Sequence, residues 1–174
     1  ADIAVIGNRL TGIFPQAILD EPFVRVAVLS QPALPVMKFH QILFRIPQPL
    51  AAQRALPLSK DHLNPILQGL KNHPDKRIIG FHYAHDPVAP IAKFDYLHEV
   101  LSEASLADRF TAYVMKLPDT GYASARPEWV SSEITEQKRK MLTPHSTLSN
   151  PESLDDRAWF RAQLRRELDH AWSR

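Results

Sequence analysis

The chain of 174 residues contains no cysteine, which excludes a disulfide framework, a thiolate metal site and a cysteine nucleophile. It has no apolar run near the roughly 20 residues that a membrane-spanning helix requires. The start of the chain lacks the basic-then-apolar pattern of a signal peptide. An excess of one charge sign is missing too: 21 Lys and Arg against 19 Asp and Glu leave +2, too little to argue for nucleic acid or a membrane surface. There is no internal repeat and no low-complexity tract. What remains is the composition of a soluble globular chain, 44% apolar and 23% charged, with the cytoplasm as default compartment. At this length one domain is expected, burying roughly 70% of the surface its unfolded chain exposes. The chain opens on Ala1 and enters an apolar run at once, as a processed chain, a fragment or a boundary cut close to the fold would.

Ile3 to Ile6 is short and continuously apolar, which predicts a buried strand. Leu10, Ile13, Phe14, Ala17 and Ile18 then follow at helical spacing, predicting a helix from Leu10 to Leu19 with that face inward and Pro15 inside it. A second strand is expected over Val24 to Leu29. Prolines at 32, 35, 47, 49 and 57 make residues 30 to 58 loop-rich, with FHQILFRI (39 to 46) as a short strand or helical turn. Ser59-Lys60-Asp61 reads as a helix start, Leu63, Ile66, Leu67 and Leu70 as its apolar face, and His73-Pro74 as its stop. Arg77 to Tyr83 is a third strand, Ile91 to Leu101 a helix with Phe94, Leu97, Val100 and Leu101 inward, and Phe110 to Leu117 a fourth strand. Leu154 to Trp172 is a terminal helix with Phe160, Leu164, Leu168, Ala171 and Trp172 on one stripe. Four alternations of strand and helix predict a three-layer α/β fold with a mainly parallel sheet.

In such sheets functional groups gather where strands end. Three turns qualify: Asn8-Arg9 after the first strand, Ala84-His85-Asp86-Pro87 after the third, and Thr143-Pro144-His145-Ser146 after the fourth. Nucleophile, carboxylate and histidine in that chain order are the signature of an α/β-hydrolase. Here the acid and the base are present and the nucleophile is not.

Four segments carry a more specific resemblance. They are Gly7-Asn8-Arg9-Leu10-Thr11-Gly12, then Val24-Arg25-Val26-Ala27-Val28-Leu29-Ser30-Gln31-Pro32-Ala33-Leu34-Pro35, then Tyr83-Ala84-His85-Asp86-Pro87-Val88-Ala89-Pro90, then His145-Ser146-Thr147-Leu148-Ser149. In this order they resemble the dienelactone hydrolase-like branch of the α/β-hydrolases, which carries G-M-C-L-T-G, V-x-A-x-V-L-S-Q-P-x-L-P, Y-A-x-D-x-x-x-P and H-S-x-L-T. The resemblance implies that Asp86 is the triad acid, that His145 is the base, and that the Leu10 backbone N–H is an oxyanion donor. Arg9 falls on the nucleophile position. A guanidinium stays protonated and has no free lone pair with which to attack an ester, so the covalent route is closed.

The family fold also places several strands and helices ahead of the nucleophile turn, including the loop with the other oxyanion donor. The resemblance therefore implies a single α/β-hydrolase-like domain over 1–174 that is incomplete at its N-terminal side. Its central strand becomes an edge that invites a dimer or a chain completing the sheet. The implied ligand is a small ester, lactone or carboxylate, with no cofactor.

Simpler readings stand beside these. Arg9 either holds an anion next to a helix start, or pairs with Asp86, or points to solvent. Asp86 is also placed to cap the helix beyond Pro87. His82 and His85 point to opposite faces of an extended strand, which argues against a metal with Asp86. Lys138-Arg139-Lys140 reads as a solvated face, and Trp129, Trp159 and Trp172 as packing residues. Ser30, Ser59 and Ser146 are replacement nucleophiles by chemistry, though none sits in a recognisable elbow.

Overall fold

The structure, a computed structural model, describes residues 2–33, 50–56, 58–84, 86, 89–116, 134–136, 147–148 and 154–173. Five strands form one parallel sheet in sequential order: β1 (Ile3–Asn8), β2 (Val24–Ser30), β3 (Arg77–Tyr83), β4 (Phe110–Lys116) and β5 (Ile134–Glu136). The helices are α1 (Phe14–Ala17), α2 (Leu50–Arg54), α3 (Lys60–Asn72), α4 (Ala92–Glu103) and α5 (Leu154–Trp172). Strands buried on both faces read as continuous apolar runs, and β2 and β3 do so because helices cover both sides of the sheet.

The two cores follow from the period of two along each strand. Ala27, Leu29, Ile78, Phe110 and Ala112 point to one side, where Leu19, Ile66, Leu70, Phe94, Leu97 and Leu101 complete a cluster. Val26, Val28, Ile79, Phe81, Tyr83, Tyr113 and Met115 point to the other, against Phe160 and Ala171 of α5. The architecture is therefore three-layered α/β with a parallel sheet. On the α5 side aromatic edges do much of the packing: the Phe160 ring stands edge-on to Tyr83 at 5.3 Å and to Phe81 at 5.8 Å. Tyr83 donates to buried Asp156 at 3.4 Å, and Tyr113 donates to Glu167. Burial and the Glu167 carboxylate push the Tyr113 hydroxyl up to about 12, desolvation being the larger cause.

Several expectations are met at residue level. α3 starts where Ser59 caps it, its Oγ accepting from the His62 N–H at 3.4 Å, and ends at Asn72. β3 and α5 have the expected bounds. Trp159 packs edge-on against Phe160 and Tyr113. Trp172 remains 43% exposed, with the Arg25 guanidinium 5.7 Å above its ring.

The N-terminal expectations need correction. β1 is an edge strand whose Ile3 and Ile6 are 42% and 49% exposed, not a buried one. The helix expected from Leu10 to Leu19 is a 3-10 turn over Arg9–Thr11 followed by the single helical turn α1. Pro15 sits in the first turn of α1, where a missing N–H loses nothing, so the helical register restarts there. As a result Ile13, Gln16 and Leu19 face inward while Leu10, Phe14 and Ile18 face out. A fifth strand also intervenes after β4, so the turn at 143–146 does not follow the fourth strand directly. Residues 39 to 46, Trp129 and Lys138-Arg139-Lys140 lie outside the described residues.

Candidate functional site

The chain leaves β1 at Asn8 and turns sharply through Arg9, whose φ of 56° is left-handed. For an arginine this conformation costs roughly 1–2 kcal/mol, so neighbouring bonds must hold it. The Thr11 hydroxyl accepts from the Asn8 N–H at 3.1 Å and donates to the Asn8 carbonyl at 3.0 Å. The Arg9 carbonyl accepts from the N–H groups of Gly12 at 2.9 Å and Ala33 at 3.0 Å, which clamps the turn to the chain leaving β2. The glycines are there for room. A Cβ at Gly7 would stand 2.1 Å from the Thr11 carbonyl oxygen, and one at Gly12 would stand 2.8 Å from Pro32 Cα. Leu10 is the middle residue of the 3-10 turn, and its side chain is 55% exposed.

Beside this turn, Ser30 ends β2 in register with Asn8. Its Oγ donates to Asn8 Oδ1 at 2.8 Å and lies 2.7 Å from the Thr147 hydroxyl. A serine carries one hydroxyl proton, so Thr147 is the donor in the second bond. Both hydroxyl residues are fully buried, and hydrogen-bonding both of them removes the penalty of burying polar groups.

The next residue repeats the strain of the first turn. Gln31 has a φ of 45°, its N–H donates to the Phe81 carbonyl at 2.9 Å, and its side-chain amide donates to the Asp86 carboxylate. Asp86, only 5% exposed beyond the end of β3, also accepts from the Ala89 N–H at 3.3 Å. This bond does not cap α4, whose N-cap is Ile91 with no side-chain cap bond, so the capping reading of Asp86 is not met. Arg9 and Gln31 thus put two left-handed non-glycine residues at neighbouring strand ends; a third, Ser105, follows α4. Such strain is uncommon and clusters at functional sites.

The structure thus gathers Arg9, Leu10 and Asp86 at the carboxyl edge of one sheet. His145, His85 and Ser146 lie outside the described residues. Sequence reasoning gave no role to Gln31, Asn8 or Thr147; the available signal was a polar pair, Ser30-Gln31, ending an apolar strand. His82 is a core residue, 1% exposed with its ring 5.4 Å from Phe94. Among the described residues no three His, Asp or Glu side chains are grouped to hold a metal ion. No helix among them is long and apolar enough to cross a membrane.

Lys93 on α4 is 1% exposed and directs its ammonium at the Gln53 and Ala55 carbonyls, 3.4 and 3.5 Å away at the end of α2. Burial pushes its pKa down to about 8. Arg54 pairs with Glu99 and lies over the Tyr96 ring at 5.5 Å. These residues, with Ala51 and Ala55, line a groove of ≈ 460 Å³ between α2 and α4.

No family model matches the chain. A search of curated proteins finds no match either. Among solved structures the chain is similar to an esterase from Pyrococcus furiosus, at 15% identity and a TM-score of 0.37, with 73% of this chain aligned. The alignment takes in 49% of that esterase, so the chain spans about half its length.

Proposed function

We propose that the chain carries the site scaffold of an ester or lactone hydrolase of the dienelactone hydrolase-like lineage, and that it does not itself turn over such substrates. The observation that carries this reading is the left-handed Arg9 at the tip of a strand-to-helix turn. A nucleophile elbow needs that backbone, because the strain lifts the tip side chain clear of the sheet. Asp86 stands at the end of β3, one strand removed from β1, which suits an acid that works through a histidine. In this reading Asp86 orients His145, His145 would take the nucleophile's proton, and the Leu10 N–H faces the developing oxyanion. Arg9 ends the sequence of steps before it starts, since no side chain at the tip can be acylated.

The exposed guanidinium supports a second reading, in which the turn binds a small carboxylate without reacting with it. The first reading is tested by p-nitrophenyl esters and lactones, where no turnover above buffer is expected. Turnover, or stoichiometric labelling of any serine by a fluorophosphonate, would refute it. The scaffold itself is tested by Arg9→Cys, which introduces the chain's one thiol. A nearby imidazole lowers a thiol's pKa below the usual value of about 8.5. The alkylation rate of the variant by iodoacetamide should therefore titrate below that value, and adding His145→Ala should return it. An unshifted midpoint in Arg9→Cys alone sinks the scaffold reading.

A further inference from the structure

We propose that Gln31 is a positioning residue of the site, the side chain that fixes the carboxylate plane of Asp86 and ties it to the Arg9 turn; this rests on the hydrolase-scaffold reading above. Three observations carry it. The first is the backbone. Gln31 is fully buried and left-handed, with a φ of 45°, a conformation that glycine adopts freely and a residue with a Cβ does not. Ser105 is left-handed too, but it is exposed and follows a helix, where that conformation is ordinary. Gln31 instead follows the strand β2, and a strained residue kept in place of glycine points to a use for its side chain.

The second observation is where that side chain goes. The Gln31 backbone N–H donates to the Phe81 carbonyl at 2.9 Å and its side-chain amide donates to Asp86 Oδ2, so backbone and side chain both grip the end of β3. Asp86 Oδ1 accepts from the Ala89 N–H at 3.3 Å. One donor on each oxygen fixes the plane of the carboxylate. An ionised carboxylate has about four acceptor sites, so these two donors orient it and leave it able to accept from a histidine.

The third observation is what the neighbours of Gln31 hold. Ser30 Oγ bonds Asn8 Oδ1 at 2.8 Å and the Thr147 hydroxyl at 2.7 Å, and the Ala33 N–H donates to the Arg9 carbonyl at 3.0 Å. Thr147 is two residues along the chain from His145. Residues 30–33 therefore form a bracket at the end of β2, and Gln31 is its link to the acid. Removing the amide leaves the Arg9 turn held by Ala33 and takes from Asp86 one of the two bonds that fix its plane.

The test uses the Arg9→Cys variant, whose thiol reports on the acid through the histidine. In that background Gln31→Gly suits the left-handed backbone but lacks the amide. It should keep the circular dichroism spectrum and raise the midpoint of iodoacetamide alkylation by about one pH unit, toward the ordinary thiol value of about 8.5. Gln31→Asn, which also tolerates φ above zero but is one methylene shorter, should raise it too. Asp86→Asn should raise it as far, and adding Gln31→Gly to Asp86→Asn should change nothing further, because residues that act through one another are not additive. A lowered Arg9→Cys midpoint that both Gln31 variants leave unmoved overturns the proposal and keeps the scaffold reading. An equal shift on adding Gln31→Gly to Asp86→Asn overturns it as well, since Gln31 would then act without the acid. An Arg9→Cys midpoint unshifted at the outset sinks the scaffold reading, and this proposal with it.

Discussion

At the scale of single residues, the backbone of Arg9 carries more information than its charge. A left-handed arginine is unfavourable by itself, and persists because Thr11, Gly12 and Ala33 fix the turn around it. The consequence can be checked without any assumption about function. Glycine is at ease with φ above zero and a β-branched residue is not. Arg9→Val should therefore be less stable than Arg9→Gly by about 2 kcal/mol in urea unfolding; equal midpoints would mean the residue is not held left-handed. The residue type at position 9 was plain in the sequence, as was the loss of a nucleophile. Its conformation was not, because φ is imposed by bonds to residues 24 positions away, such as Ala33. Gln31 shows the same limit: nothing local reveals that its amide meets Asp86, 55 residues on.

Among the elements, the attachment of α2 is linked to the titration of a buried lysine. Two bonds from buried Lys93 hold the carbonyls at its end, with Arg54, Glu99 and Tyr96 beside them. In the unfolded chain this lysine has its ordinary value of 10.5, and in the fold it falls to about 8. Between those values the unfolded chain binds the proton that the folded chain has released, so Lys93 adds to stability as pH rises through the window. Below pH 8 its buried charge is a net liability. Denaturant midpoints of wild type and Lys93→Met should therefore converge in the wild type's favour as pH rises from 8 toward 10.5. A gap independent of pH would show that the ammonium is not desolvated. The helices α3, α4 and α5 were readable from sequence since each keeps a 3.6-residue apolar period with clear end signals. α1 was not, because proline restarted its register.

For the whole molecule, the sheet order sets a gradient of stability. β2 and β3 are paired on both sides and covered on both faces, whereas β1 has a paired strand on one side. Amides of β2 and β3 should exchange only through global unfolding, and those of β1, paired with β2 alone among the described strands, should exchange earlier. Uniform protection across β1, β2 and β3 in hydrogen exchange would contradict this gradient.

The sequence by itself determined the α/β class, the strands β2 to β4, three of the five helices and the residue types at the strand ends. It could do so because these depend on local periodicity, on caps such as Ser59 and on stops such as Pro74. The tertiary structure decided which face of the 10-to-19 segment is buried, and that Asn8, Ser30 and Thr147 share one hydrogen-bonded chain while Gln31 reaches Asp86. Each of those depends on residues far apart in the chain meeting at the end of a parallel sheet. Parallel strands are joined only by long crossovers, so the pairs that define the site are never neighbours in sequence.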